Sequence, residues 1–220
     1  MNLNFAFINT LTKYLLFATT KGIIKKTKLE EFTHIRPSGL VAIKLDRDDQ
    51  LLAAVPMAQE DEVLLISASG KSIRFKESDV RATGRATRGV KGIKLKDGDR
   101  VVSVQVLAKN KSTAALHDQF LIVTENGYGK RTNLSEYSVQ GRGGQGVYTA
   151  KVSKKTGSVV GAYLACSKDI ESDLLIISRE GKMIRLPLGQ VSILGRHTQG
   201  VRLFRLDEGD VAVSMTLLSI

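Results

Sequence analysis

The 220-residue chain carries 33 lysines and arginines against 22 aspartates and glutamates, a net charge of +11, with 42% hydrophobic residues. This composition places the chain among globular proteins and excludes a disordered one, and it directs the cationic excess at an anionic partner, most often nucleic acid. One cysteine, Cys166, excludes an internal disulfide framework and fits a reducing cytoplasm, and no apolar run reaches the roughly 18 residues that would make a membrane partner.

The predicted elements run as strands. In MNLNFAFINTLTK, residues 1–13, apolar side chains alternate at Leu3, Phe5 and Phe7, the period of a half-buried strand. LLFATT follows and is too short and poorly flanked for a signal peptide. It lies instead in the first of four related segments: YLLFATTKGIIKKTKLEEF (14–32), EVLLISASGKSIRFKESDV (62–80), QFLIVTENGYGKRTNLSEY (119–137) and DLLIISREGKMIRLPLGQV (173–191). Each passes from an apolar run through a glycine turn (Gly22, Gly70, Gly127, Gly181) into a basic strand. Four residues beyond that glycine stands a cation every time (Lys26, Arg74, Arg131, Arg185), and ten beyond it an apolar residue (Phe32, Val80, Tyr137, Val191).

The second half of each unit recurs as SGLVAIKL, RGVKGIKL, QGVYTAKV and QGVRLFRL, led by Gly39, Gly89, Gly146 and Gly200. Polar turns (DRDD, KDGD, SKKTG, DEGD) then lead into LLAAVPM, VVSVQVL, VVGAYLA and VAVSMTL. The repeats therefore occupy 14–61, 62–118, 119–172 and 173–220, and residues 1–13 read as the closing strand of an earlier blade, absent from this chain. Short β-branched runs between Gly, Asp, Asn and Ser predict about four strands per unit of roughly 50 residues, an all-β, propeller-like disc of about four four-stranded blades. An isolated blade cannot bury both faces, so blades must pack side by side. Helix signals are confined to pieces such as KLEEF and NLSEY. KSIRFK alternates, placing Ile73 and Phe75 on one face and Arg74 and Lys76 on the other.

Charge follows the repeat. Residues 70–94 hold eight cations against two acids, whereas 46–62 hold six acids against one cation. If blades are related by rotation, the basic part recurs around one rim as a curved belt. The candidate DNA contacts are Lys25, Lys26 and Lys28; Lys71, Arg74, Lys76, Arg81, Arg85, Arg88 and Lys91; Lys130, Arg131 and Arg142; and Lys182, Arg185, Arg196 and Arg202. With 5% aromatic residues and no Trp, stacking platforms for single strands are sparse, which favours duplex DNA held by its phosphates, with weak sequence dependence and strong salt dependence. Bending a 20–30 bp duplex around a rim costs about 1–6 kcal/mol, offset by added contacts.

Chemistry beyond binding finds no support. Residues 141–146 within QGRGGQG satisfy G-x-G-x-x-G, but they lead into the strand VYTAKV where a dinucleotide fingerprint opens a helix. No P-loop occurs, the histidines His34, His117 and His197 are scattered, and one cysteine makes no zinc set, so neither a catalytic centre, a metal nor a cofactor is expected. A protein-interaction propeller whose basic rim docks an acidic partner is the alternative from another class.

The four-repeat pattern resembles the C-terminal domain of bacterial DNA gyrase A and its topoisomerase IV counterpart. The carriers are EDEVLLISASGKSIRFKESDVRATGRATRGVKGIKL (60–95), ENGYGKRTNLSEY (125–137) and VSILGRHTQGVRLFRL (191–206). The resemblance implies a β-pinwheel, usually of six blades that exchange strands, whose rim wraps duplex DNA. It also implies work within a cytoplasmic, nucleoid-associated holoenzyme containing the rest of gyrase A together with gyrase B, which uses ATP and magnesium elsewhere to introduce negative supercoils. That family carries a gyrase box of the form Q-R-R-G-G-K-G in its first blade. Gln140, Arg142, Gly143, Gly144 and Gly146 match it, while Gly141 and Gln145 replace two cations, so 140–146 read as a box-like loop of a later blade, with the defining box expected upstream.

Overall fold

An apolar strand and a basic strand joined at a turn glycine, followed by a returning strand, give each unit three antiparallel strands of its own. The computed structural model describes residues 12–34, 37–109 and 118–218. The first unit supplies β1 (Thr12–Thr19), β2 (Ile23–Lys28) and β3 (Leu51–Ala58). The second supplies β4 (Glu62–Ser67), β5 (Lys71–Lys76), the two-residue β6 (Val90–Lys91) and β7 (Val101–Leu107). The third supplies β8 (Gln119–Thr124), β9 (Tyr128–Asn133), β10 (Val147–Tyr148) and β11 (Val159–Ala165), and the fourth β12 (Asp173–Ser178), β13 (Met183–Pro187), β14 (Val201–Arg202) and β15 (Ala212–Leu218). A 3-10 turn closes each second strand, at Leu29–Phe32, Glu77–Asp79, Leu134–Glu136 and Leu188–Gln190, where only KLEEF and NLSEY signalled one.

The short strands change blade. The sheets run β3-β1-β2-β6, β7-β4-β5-β10, β11-β8-β9-β14 and β15-β12-β13, so β6, β10 and β14 each complete the preceding blade. Three sheets thus have four strands, and among the described residues the fourth has three rather than the expected four. In the expected closing strand over 1–13, residues 1–11 lie outside the described residues, while Thr12 and Lys13 open β1.

Exchange requires close backbone approach. Gly146 has φ +65°, and a Cβ there would stand 2.2 Å from the Ser72 carbonyl oxygen, so only glycine fits.

The core is divided among the blade junctions. In β4, Val63 and Leu65 join the cluster shared with Leu16, Ala18 and Ile24, while Leu64 and Ile66 join the next one with Phe120 and Ile122. In β8 the same alternation sends Leu121 and Val123 to the third cluster with Leu174 and Ile176. Inner strands are therefore apolar on both faces and read as continuous runs, the expected pattern for strands covered on both sides.

Candidate nucleic-acid interface

The recurring cation of the second strand is enclosed at the blade junction. Lys26 pairs with the Glu77 carboxylate and donates to the Glu77 carbonyl oxygen at 3.3 Å. Arg74 pairs with Glu62 and donates through Nη1 to the Tyr137 carbonyl oxygen at 2.9 Å. Arg131 donates through Nε to the Val191 carbonyl (2.7 Å), through Nη2 to the Gly189 carbonyl (3.0 Å) and through Nη1 to Gln119 Oε1 (2.9 Å), and its burial lowers its pKa. Each therefore grips the turn that closes the second strand of the next repeat. The expected place of Lys26, Arg74 and Arg131 on a DNA-facing rim does not hold, because the following blade covers them and takes up their donors. Arg185 has no such cover among the described residues and pairs there with Asp173.

Lys25 and Lys130 are likewise corrected: each is 1% exposed. Lys25 Nζ donates to the Ala42 and Arg85 carbonyls, and Lys130 Nζ to the carbonyls of Gly195 (2.7 Å) and Arg196 (2.6 Å) and to Thr198 Oγ1 (3.1 Å). Burial pushes both ammonium groups down to about 8. They clamp two loops, 84–89 and 195–200, that share the form G-R-x-x-x-G with 141–146. QGRGGQG is thus the third repeat's version of a recurring loop, and Ile73 lies under its Gly144 where the other two loops sit on a lysine.

Each loop is an excursion between two points of attachment to the preceding blade. The Gln140 N–H donates to the Arg74 carbonyl at 2.7 Å before the loop, and β10 pairs with β5 after it. Arg142 is exposed, yet its Nε donates to the Asp79 carbonyl (2.7 Å) and its Nη1 to the Lys91 carbonyl (3.2 Å). Arg196 donates to the Tyr148 carbonyl in the same way. Arg142, a candidate DNA contact, therefore ties its loop to the preceding exchanged strand. Successive loops are stitched to the same ribbon by N–H donation from Lys44 to Thr87, from Lys94 to Gly144 and from Lys151 to Thr198.

That ribbon carries the free charge. Lys44, Lys94, Lys151 and Arg205 occupy one position in all four repeats, five residues past the second glycine. All four are exposed, and their side chains make no hydrogen bond or ion pair among the described residues. None was among the candidates, although IKL, IKL, AKV and FRL stand in the aligned second halves and signalled them. Of the candidates, Lys28, Lys76, Arg81 and Lys91 are exposed and unpaired among the described residues. Arg88 pairs with Asp46 at 3.0 Å and Lys182 with Asp207 at 2.6 Å, both at the surface, while the Arg85 guanidinium lies 3.9 Å from Glu31. Arg202 lies over the Tyr128 ring and donates to its hydroxyl, and Lys71 Nζ sits 3.6 Å from the centre of the Tyr148 ring, which stacks on His197. Among the described residues, no three His, Cys, Asp or Glu side chains converge in a metal-binding group, and no helix is long and apolar enough to cross a membrane.

A chain of four strand-exchanging blades has counterparts among known proteins. The family described as DNA gyrase C-terminal domain, beta-propeller, matches residues 13–56, 61–108, 118–166 and 172–219. The DNA gyrase A protein of Mycolicibacterium smegmatis (strain ATCC 700084 / mc(2)155) is 43% identical over 204 residues, 92% of this chain and 23% of that protein. The chain thus spans less than a quarter of the length of that relative. A solved DNA gyrase A C-terminal domain superposes with a TM-score of 0.79 at 34% identity, covering 96% of this chain and 67% of that one. The C-terminal domain of a DNA topoisomerase IV superposes with 0.84 at 25% identity, covering 95% and 62%. Four matched repeats over nearly the whole chain make it a member of the DNA gyrase C-terminal domain, beta-propeller family.

Proposed function

We propose that this chain is a non-catalytic DNA-binding domain that bends and wraps duplex DNA along the ribbon of exchanged strands and loops. In this reading it serves ATP-dependent negative supercoiling by a gyrase holoenzyme, a type II topoisomerase. The rest of gyrase A and the whole of gyrase B are its partners in the cytoplasm, with ATP and magnesium handled outside this chain. One observation carries the reading: Lys44, Lys94, Lys151 and Arg205 repeat at one position of each blade with no partner among the described residues. Periodic, unpaired cations on a backbone fixed by hydrogen bonds suit a phosphate backbone followed across several blades, with no sequence readout required. The higher identity to the gyrase domain ranks gyrase first, and the TM-score of 0.84 keeps topoisomerase IV as the second reading.

Binding to non-specific duplex DNA, titrated with salt, tests the proposal. Neutralising the four cations together should flatten the slope of log K against log salt by about 3–4, close to one per phosphate released. A flat slope for the unaltered chain removes the DNA reading in favour of an acidic protein partner. An unchanged slope in the fourfold variant removes the ribbon as the site.

A further inference from the structure

The polar turns break the symmetry of the repeat at one place. Ten residues past the second glycine stand Asp49, Asp99 and Asp210 in the first, second and fourth repeats, but Thr156 in the third. Each aspartate holds the hairpin turn of its own unit, its Oδ1 accepting the N–H of Lys21 (3.0 Å), Ser69 (3.0 Å) or Glu180 (3.2 Å). The flanking residues are acidic as well: DRDD holds three acids and one cation, KDGD two and one, and DEGD three and none. SKKTG, residues 153–157, holds Lys154 and Lys155 and no acid.

The third blade secures this turn by other means. Asn126 donates through Nδ2 to the Lys154 and Lys155 carbonyls, each at 3.1 Å, and Thr156 Oγ1 accepts the Ser153 N–H at 3.0 Å. Glu125, the nearest acid, is turned to the Ser158 N–H at 2.7 Å. The backbone is therefore fixed while both lysines are exposed, and neither side chain makes a hydrogen bond or ion pair among the described residues. Lys155 Nζ lies 5.6 Å from the centre of the Tyr128 ring, and the Arg202 guanidinium of β14 lies 5.3 Å from the same ring. Arg202 and the exposed Arg205 line an open groove of about 290 Å³ with Asn126, the residue that carries the turn. The acids of that groove are engaged elsewhere: Asp207 pairs with Lys182 at 2.6 Å, and Asp210 Oδ1 accepts the N–H groups of Glu180 and Val211.

We propose that Lys154, Lys155, Arg202 and Arg205 form one phosphate-binding seat at the junction of the third and fourth blades, where bound duplex DNA widens its contact from the ribbon onto the polar turn. This seat presupposes the DNA-wrapping reading above and adds a fixed point to the path. Thr156, Asn126 and Glu125 secure the turn without the two lysines, so their charge is left for an anion. Duplex phosphate is that anion because the pair continues the unpaired cations of the ribbon across one shared aromatic ring. At the other three turns the acids repel phosphate and confine the duplex to the ribbon, so the contact is uneven from blade to blade.

Salt-titrated binding of this chain to non-specific duplex DNA tests the seat. Lys154→Asp with Lys155→Asp gives the third turn the sign of the other three, and it should flatten the slope of log K against log salt by about 2, close to one per phosphate released. Lys13→Asp with Lys109→Asp makes the same change of net charge at the opposite end of the strands, where Lys13 opens β1 and Lys109 follows β7. That control should keep the parent slope. Thermal melting should match the parent; where the aspartates disturb the turn, Lys154→Gln with Lys155→Gln carries the same expectation. A turn variant that keeps the parent slope overturns the seat. So does an equal fall in the turn variant and the control, which would leave net charge alone as the cause. A parent that binds with no salt dependence overturns the DNA reading itself, and the seat with it.

Discussion

Replacing Arg131 with alanine separates a structural cation from a DNA-binding one. Its guanidinium makes three hydrogen bonds of 2.7–3.0 Å, two to the Val191 and Gly189 carbonyls across a blade junction and one to Gln119. Hydrogen bonds from a charged donor contribute about 1.5–3 kcal/mol each and are not additive, and truncation leaves two carbonyls without their donor. The expected loss of folding stability is about 3–4 kcal/mol, a fall in melting temperature of roughly 10 °C for a chain of this size. Arg205→Ala, exposed and without a partner among the described residues, should stay within about 0.5 kcal/mol of the parent while weakening DNA binding. Urea unfolding and DNA binding measured on both variants decide the matter. An Arg131→Ala protein that melts like the parent but loses DNA affinity would refute the assignment.

Lys130→Met tests the buried clamp: the folded ammonium is held near 8 and the unfolded one near 10.5. Between those values the unfolded chain binds more protons, so the parent gains stability as pH rises from about 8 to 10.5 and loses it again as pH falls back to about 8. In the methionine variant that component should vanish from denaturation curves across the range, and equal pH slopes in both proteins would reject it. Gly146→Ala should cost about 2 kcal/mol or more, because a positive φ and a 2.2 Å approach to Ser72 forbid the methyl group. Hydrogen exchange would report it as lost protection at Thr149, whose N–H bonds Gly70, and retained protection there would count against the close-approach argument. Gly141→Arg with Gln145→Lys restores both cations of the box pattern. Gly141 has open space within 4 Å, so DNA affinity and bending should rise in a ring-closure assay with no change in melting; equal closure would mean that these positions do not meet DNA.

Strand content, turn positions and the boundaries of the returning strands were legible because each rests on local chemistry. Gly22, Gly70, Gly127 and Gly181 all adopt φ near +80°, the conformation a turn glycine supplies. The destination of the second-half segments was not legible from patterning. Val90–Lys91 and Val147–Tyr148 are two-residue pairings, too short for a period to show, and only their resemblance to the family pattern pointed to exchange. In the first three sheets the fourth strand comes from the repeat after it and not from its own.

The misplacement of the cations has one physical root. Alternation along KSIRFK separates Arg74 and Lys76 from Ile73 and Phe75, and a two-sided strand invites the reading that the charged side faces water. The first core cluster takes Ile73 and Phe75 on one face of β5 and the next repeat's closing turn covers Arg74 on the other, so a charge there must find protein acceptors or stay out. The chain places arginine or lysine where the next repeat's closing turn presents carbonyls, at Glu77, Tyr137 and Val191, and recurrence at this position therefore reports the junction and not the ligand. Positions five past the second glycine obey the opposite logic. Their N–H groups at 44, 94 and 151 are spent on the neighbouring loop, which fixes the backbone and leaves the side chains exposed with no acceptor among the described residues. Two cations recur with equal regularity in the sequence, and the enclosure of one by the next repeat's closing turn decides which is free to meet an anion.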